Sequence, residues 1–242
     1  MRYSVTIATL CLAFASTSVF ALNQYYEMPG NAENGEQIFK NGKGDVPACT
    51  SCHGMEGLGD DAMGTPRLSG QGYKFLVKQL SDFASDKRKD ETMFVMNTNA
   101  KGLTKEDHQD VALYLTHLEQ PFTASDMKAV KEMGMTPVGT RYLGKSIAQY
   151  GIPERDVPAC HSCHGYNGRG AFPIYPMLGG QRYTYLVAQL KKWRDGTRSN
   201  DPMSQMQIVA QKLTDEEIYN VATFLTSAPK TTVGNARVPH LQ

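Results

Sequence analysis

Two stretches of the chain carry the same reactive side chains: "DVPACTSCHG" at 45–54 and, 111 residues later, "DVPACHSCHG" at 156–165. Each offers two thiols separated by two residues, with an imidazole directly after the second. With 5 Cys and 6 His in 242 residues, one such match arises by chance in about one chain in 400, and two far more rarely. A disulfide in each stretch would use the thiols but requires neither the tight spacing nor the histidine. A zinc site would have to gather thiolates from two stretches distant in the chain. Covalent c-type haem uses every member of the set. Each thiol adds across one vinyl group to make a thioether, the short loop holds both sulfurs at one porphyrin edge, and the histidine reaches the iron. Cys49 and Cys52, then Cys160 and Cys163, are the expected attachment points of two haem c groups. His53 and His164 are the expected proximal ligands, each donating its other ring N–H to a backbone carbonyl. His161, inside the second motif, is expected at the surface, facing away from the iron.

The elements that must position these residues are themselves duplicated. "PRLSGQGYKFLVKQL" at 66–80 aligns with "PMLGGQRYTYLVAQL" at 176–190, and "GLTKEDHQDVALYLT" at 102–116 with "KLTDEEIYNVATFLT" at 212–226. A fixed offset of this kind marks a tandem duplication. "GEQIF" (35–39) and "GKSIA" (144–148) head short amphipathic helices. Thr104 with Asp107, and Thr214 with Glu217, read as capping boxes that open the last helix of each unit. Within those helices Val111, Tyr114, Leu115 and Leu118, and Ile218, Val221, Ala222 and Leu225, recur at helical spacing and are expected in the core. The intervening "PFTASDMKAVKEMGMTPVGT" reads as a linker whose methionines are expected over the seam between units. Units this small leave much of their apolar interior to a buried haem.

The N-terminus opens Met1-Arg2, runs apolar through "TIATLCLAFASTSVF" and closes on Val19-Phe20-Ala21, the pattern of an export signal cleaved before Leu22. An uncleaved membrane anchor is the alternative reading of the same stretch. Cleavage removes Cys11 and leaves every remaining cysteine in a haem motif. The expected organisation is a signal peptide at 1–21, a first unit at 22–121, a linker at 122–138, a second unit at 139–229 and an irregular tail at 230–242 with a surface His240.

With these residues in place, an exported tandem pair of "CxxCHG…PxLxGQ…YLxxQL…M…LT" units resembles the dihaem class I cytochromes c of the cytochrome c-four family over nearly all of the mature chain. The resemblance implies an all-α fold: two tandem class I cytochrome c domains related by pseudo-twofold symmetry, each around one covalent haem. It also implies a six-coordinate iron in each. The repeat alone leaves the sixth ligand open, because Met93 and Met203 are related by the same offset as Met96 and Met206. In the family pattern the ligand falls seven residues before the leucine of "LT", which implies Met96 and Met206 together with His53 and His164. Pro66 and Pro176 match the family prolines whose carbonyls accept the proximal imidazole N–H. Met55, Met63 and Met177 are left as packing residues or caps over the haem edge. The chain departs from the pattern at Arg67, whose counterpart is Met177, and in its longer tail.

Histidine with a thioether favours ferrous iron and closes the iron to substrate, so the expected role is electron transfer in the periplasm between redox proteins of a respiratory chain, a terminal oxidase among them. No catalytic residue and no nucleic-acid partner is expected. A dihaem electron-transfer subunit of a larger oxidoreductase, such as a flavin-containing sulfide dehydrogenase, is the alternative. A haem enzyme would need an open or cysteine-ligated iron, and the mature chain has no spare thiol. Charge adds one expectation. Residues 22–121 hold 10 Lys and Arg against 15 Asp and Glu, net −5, whereas 122–242 hold 14 against 9, net +5. Such segregation would orient a basic partner on the first unit and an acidic partner or an anionic membrane surface on the second.

Overall fold

A computed structural model describes residues 28–90, 94–118, 120–171 and 173–229. The export signal, the tail with His240 and the alternate ligand Met93 lie outside the described residues. Among these residues the fold is all α, with isolated bridges in place of strands. In the first unit the helices are α1 (Ala32–Asn41), α2 (Thr50–His53), α3 (Tyr73–Ala84), α4 (Val95–Lys101) and α5 (Lys105–His117). Next comes α6 (Met127–Met133), and the second unit repeats the order with α7 (Arg141–Tyr150), α8 (Cys160–His164), α9 (Tyr183–Asp195), α10 (Gln205–Ala210) and α11 (Asp215–Thr226).

Each unit is closed by its first and last long helices, α1 on α5 and α7 on α11. Their starts are set by side chains. Asn31 accepts from the backbone N–H of Glu33 and Asn34 at the head of α1. Both predicted capping boxes form, Thr104 with Asp107 on α5 and Thr214 with Glu217 on α11. The two helix crossings are made at glycines, because the backbones approach too closely for any side chain. A Cβ on Gly35 would lie 2.0 Å from the Asp110 carbonyl oxygen, and one on Gly144 would lie 1.8 Å from that of Asn220. The same two partners fasten the crossings laterally: Asp110 Oδ1 accepts Asn31 N–H at 2.6 Å, and Asn220 Oδ1 accepts Thr140 N–H at 2.5 Å. A tyrosine at the start of the middle helix completes each corner, Tyr73 donating to the Pro29 carbonyl and Tyr183 to that of Pro137.

The cores follow the predicted helical faces. Val111 and Leu115 are buried with Ile38, Phe39, Tyr73, Leu76 and Ala112 in the first unit, with Tyr114 and Leu118 packed against them. Ile218, Val221, Ala222 and Leu225 are buried in the second with Tyr183, Leu186 and Phe224. Full burial of an aliphatic or phenyl side chain stabilises by about 1.5–3 kcal/mol.

The segment between the units is not a bare connector. Asp126 caps α6 by accepting from Lys128 and Ala129 N–H, and Val130 is buried in the second core. Met127 and Met133 pack on that same core and Met135 is exposed. Sequence alone placed these methionines over the seam; their helix instead turns them onto the second unit.

If the glycine crossings hold the units closed, Gly144→Ala forces α7 off α11 and costs about 1–3 kcal/mol or more. Thermal unfolding of the variant should show that loss, while Gly134→Ala, where a Cβ meets nothing within 4 Å, should cost only the strain of its positive φ.

Candidate functional site

The two haem motifs occupy short helices, α2 and α8, and each ends at a glycine of positive φ, Gly54 at 76° and Gly165 at 73°. The turn sends the chain back across the motif. Gly59 N–H donates to the His53 carbonyl at 2.9 Å, and Gly170 N–H to that of His164 at 2.8 Å. A second pair of bonds folds the returning strand inward: Leu68 and Ser69 N–H both donate to the Gly57 carbonyl, as Leu178 and Gly179 N–H do to that of Gly168.

This return delivers the carbonyls of Pro66 and Pro176 to the imidazoles. His53 Nδ1 lies 3.1 Å from the Pro66 oxygen, and His164 Nδ1 lies 3.0 Å from the Pro176 oxygen. A carbonyl can only accept, so Nδ1 carries the proton in each ring and Nε2 keeps its lone pair, the form a metal requires. Both rings are buried, and burial lowers their pKa despite the carbonyl contacts. Tyr175 meets His164 edge-on, with ring centroids 5.9 Å apart.

All four motif cysteines are half-buried and none is in a disulfide. Burial pushes the Cys49 and Cys160 thiols up to about 11. Paired cysteines on one helix turn, beside an imidazole whose Nε2 is uncommitted, fit the attachment of haem c. Among the described residues no group of three His, Cys, Asp or Glu side chains could hold a bare metal ion.

Met96 and Met206 sit in the first turns of α4 and α10. The residue before each helix adopts a left-handed conformation, Phe94 at φ 58° and Ser204 at φ 54°, and a carboxylate holds each first turn. Met96 N–H donates to Asp90 Oδ2 at 3.2 Å, and Met206 N–H to Asp201 Oδ2 at 2.7 Å. Asp90 also acts electrostatically on His53, opposing the fall in its pKa that burial causes. Met96 and Met206 are half-buried, whereas the alternate Met203 is 80% exposed.

The two halves also hold one another's sites. Gln181 of the second unit accepts Arg67 N–H at 2.6 Å and donates to the Arg67 carbonyl at 2.9 Å. Gln71 of the first unit does the same to Met177, at 2.7 and 3.0 Å. Arg67 and Met177 directly follow the prolines that hold the histidines. Each proximal carbonyl is thus fastened by a glutamine from the other half. Sequence reasoning passed over Gln71 and Gln181, although both stand in the repeated "GQ" of the aligned segments; a polar residue repeated at a buried position was the available signal.

Four expectations change. His161 is half-buried rather than at the surface, and its Nδ1 is buried without a hydrogen-bond partner. Met55 and Met63 are 67% and 54% exposed, while Met177 is buried in the seam. Arg67, marked as a departure, is buried with its guanidinium on the carbonyls of Gln120 and Pro121, where it secures the exit from the first unit. Lys191 and Arg194, counted among the cations expected to orient a partner on the second unit, both bind Asp215, at 2.9 and 2.5 Å.

Comparison with known proteins places this geometry. The sequence model of the family described as Cytochrome c matches residues 32–119 and 155–229. The thiosulfate dehydrogenase electron acceptor of Stutzerimonas stutzeri is 34% identical over 209 residues, spanning 86% of this chain and 92% of the relative. Cytochrome c4 of Pseudomonas aeruginosa is 32% identical, over 76% of this chain and 85% of that protein. Among solved structures, cytochrome c4 from Pseudomonas stutzeri superposes with a TM-score of 0.68 at 28% identity, covering 83% of this chain and all of the other. The thiosulfate dehydrogenase TsdBA of Marichromatium purpuratum superposes at 0.73 with 34% identity, over 82% of this chain but only 40% of that longer one. The chain belongs to the cytochrome c family, and its paired units with two covalent haem c groups make it a dihaem electron-transfer protein of the cytochrome c4 kind rather than an enzyme.

Proposed function

We propose that this cytochrome is an exported relay in which His53 and Met96 ligate one iron and His164 and Met206 the other, and that its donor is a dehydrogenase acting on a small sulfur oxyanion. Haem c supplies a one-electron couple whose potential a thioether ligand raises. The protein's part is to present an Nε2 lone pair from one side and a methionine from the other, and to keep substrate off both irons. The observation that carries the ligand assignment is the shared anchoring of Met96 and Met206 by Asp90 and Asp201, against the solvent exposure of Met203. The donor rests on the chain-wide likeness to relatives named as thiosulfate dehydrogenase electron acceptors. The match of this chain to 40% of a longer chain, the thiosulfate dehydrogenase TsdBA, favours a standing association with that donor. Onward transfer would go to redox proteins of a respiratory chain, a terminal oxidase among them. Among the described residues no helix is long and apolar enough to cross a membrane, and export rests on the N-terminal signal pattern; N-terminal sequencing of the mature protein should begin at Leu22.

The donor assignment is tested by stopped-flow mixing with a thiosulfate dehydrogenase and thiosulfate. Haem reduction should require all three components and slow as salt is added, because exposed charges are screened beyond about 8–10 Å at physiological ionic strength. Since Lys191 and Arg194 are both ion-paired with Asp215, and Arg194 with Asp195 as well, the cation to reverse is Arg169, exposed five residues after His164. Arg169→Glu should change the rate of one transfer partner and not the other; equal effects on both would remove the two-ended arrangement.

Replacing Met96 or Met206 with alanine should lower that haem's potential by on the order of 0.1 V within the ~0.8 V that axial ligands command, and open that iron to carbon monoxide. Met203→Ala should do neither. A shift in Met203→Ala and none in Met206→Ala would reverse the assignment. Cys49→Ala with Cys52→Ala should leave the first unit without haem and largely unfolded while the second keeps its haem; full helical circular dichroism in that variant would contradict it.

A further inference from the structure

The helix that carries Met96 is held at both ends by buried polar side chains that the second unit does not repeat. At its near end stands Asn97, 2% exposed. Its Oδ1 accepts Asp90 N–H at 2.7 Å, and its Nδ2 lies 2.9 Å from the carbonyl oxygens of Phe83 and Arg88 and 3.0 Å from Asp86 Oδ1. One amide thus ties the start of α4 to the end of α3 and to the loop that follows it. The same Asp90 takes Met96 N–H on its carboxylate. In the aligned repeat Gln207 stands at this place. It is half-buried, and its side chain donates to Asp201 within its own loop; among the described residues it makes no bond to the end of α9.

At the far end stands His108 of α5, 3% exposed. Its Nε2 lies 2.9 Å from the carbonyl oxygen of Ala100, which is one turn after Met96 on the same face of α4. A carbonyl only accepts, so Nε2 carries the proton. Nδ1 is then a lone pair, buried without a partner. As a core residue such an imidazole is a poor choice, because a buried acceptor left unpaired is a net cost. The second unit has Ile218 there, fully buried. What histidine supplies and isoleucine cannot is a donor. The Ala100 carbonyl has use for one, since the last carbonyls of a helix lack partners inside it. Leu103 N–H reaches it at 3.3 Å, against 3.0 Å for Leu213 N–H on the Ala210 carbonyl of the second unit.

We propose that Asn97 and His108 are positioning residues for the first iron alone: they fix α4 at its two ends and with it the Met96 thioether. Their role rests on Met96 being that iron's ligand, as proposed above. The second unit holds Met206 by other means, the Asp201 carboxylate and the packing of Val209 on the core. A ligand helix that can shift lets the sulfur leave the iron and a competing base enter. Fixing the helix removes that freedom without touching the sulfur. The two irons therefore keep their methionines independently, and one can be loosened while the other is not.

The test is titration of the oxidised holoprotein with imidazole, a base that competes with methionine for ferric iron, followed by proton NMR of the two iron-bound methionine methyls. Met96→Ala should abolish one of the two signals and so identify the first haem. Loss of neither removes the ligand assignment and the positioning role with it, whatever the other variants do. With the signals identified, His108→Ile should release the first methionine at an imidazole concentration about threefold to tenfold below the parent's, the change that one buried hydrogen bond commands, and leave the second within about twofold. Isoleucine suits an apolar core, so thermal unfolding of this variant should not fall; stability that drops in step with the release would make His108 a packing residue and overturn its positioning role. His108→Gln, whose amide nitrogen can take the place of Nε2, should return to within about twofold of the parent. Asn97→Ala removes several bonds at once and should loosen the first methionine by about tenfold or more. Equal release at both irons, no change in His108→Ile, or a His108→Gln variant as loose as His108→Ile overturns the assignment. The histidine pair decides the matter if Asn97→Ala does not accumulate as holoprotein.

Discussion

A backbone carbonyl decides the chemistry of each half. The oxygens of Pro66 and Pro176 can accept but not donate, and that alone sets the tautomer of His53 and His164 and turns the Nε2 lone pair outward. A carbonyl on a loop is a poor reference point unless something holds the loop. Here the hold comes from across the seam, because Gln181 binds both backbone groups of Arg67 and Gln71 both of Met177. An amide side chain can satisfy a backbone N–H and C=O together, in the manner of a strand neighbour. It therefore fixes the orientation of the peptide as well as its distance. Bonds within each half shape the loop, but the peptide that carries the proximal carbonyl is fastened from the other half, so a unit taken alone would have the imidazole and the proline but a looser link between them.

This reciprocity explains why duplication is useful here beyond doubling the number of haems. The seam is rich in polar contacts: glutamine amides, buried arginines, Thr184 on Asp61, Arg182 on the Leu58 carbonyl, Lys78 on the Asn200 carbonyl. A polar seam gains little from area but is strict in geometry, since each buried donor left unpaired costs about 1–3 kcal/mol. Sliding the halves would break several such bonds at once. The relative placement of the two sites is thereby specified, and rate of transfer between two redox centres depends on that placement.

The parts legible in the sequence are those governed by local rules. The motif spacing, the two capping boxes and the apolar faces of α5 and α11 each depend on residues within a few positions of one another, and each appears where expected. What was not legible depends on partners distant in the chain. Gln79 and Asp82 of α3 carry no signal in the local pattern; they are buried and bonded to Arg198 and Asn200 of the second unit. Arg67 read as a deviation from its counterpart, yet its role is to bind carbonyls 53 and 54 residues downstream. Charge counting by halves was blind for the same reason. The net +5 already counts Asp215, but counting does not show that Asp215 sits between Lys191 and Arg194, which hold its carboxyl down to about 2, so that those two cations are not an open patch.

The two halves are alike in plan but not in how much protein closes them. The first core rests on α1, α3 and α5 alone. The second gains Val130 from α6, with Met127 and Met133 beside it, and Ala228, fully buried just beyond the end of its final helix. Ser125, ahead of α6, adds polar ties by donating its N–H to Thr226 and accepting Tyr183 N–H. A small domain without such additions leans more heavily on its prosthetic group for apolar interior. The first unit is therefore the one whose fold depends more on its haem, and the second the better scaffold against which it docks. Since Gln181, which fastens the first unit's proximal loop, lies in that better-closed half, stability passes from the second unit to the first through the same side chain that helps to set the first unit's ligand geometry.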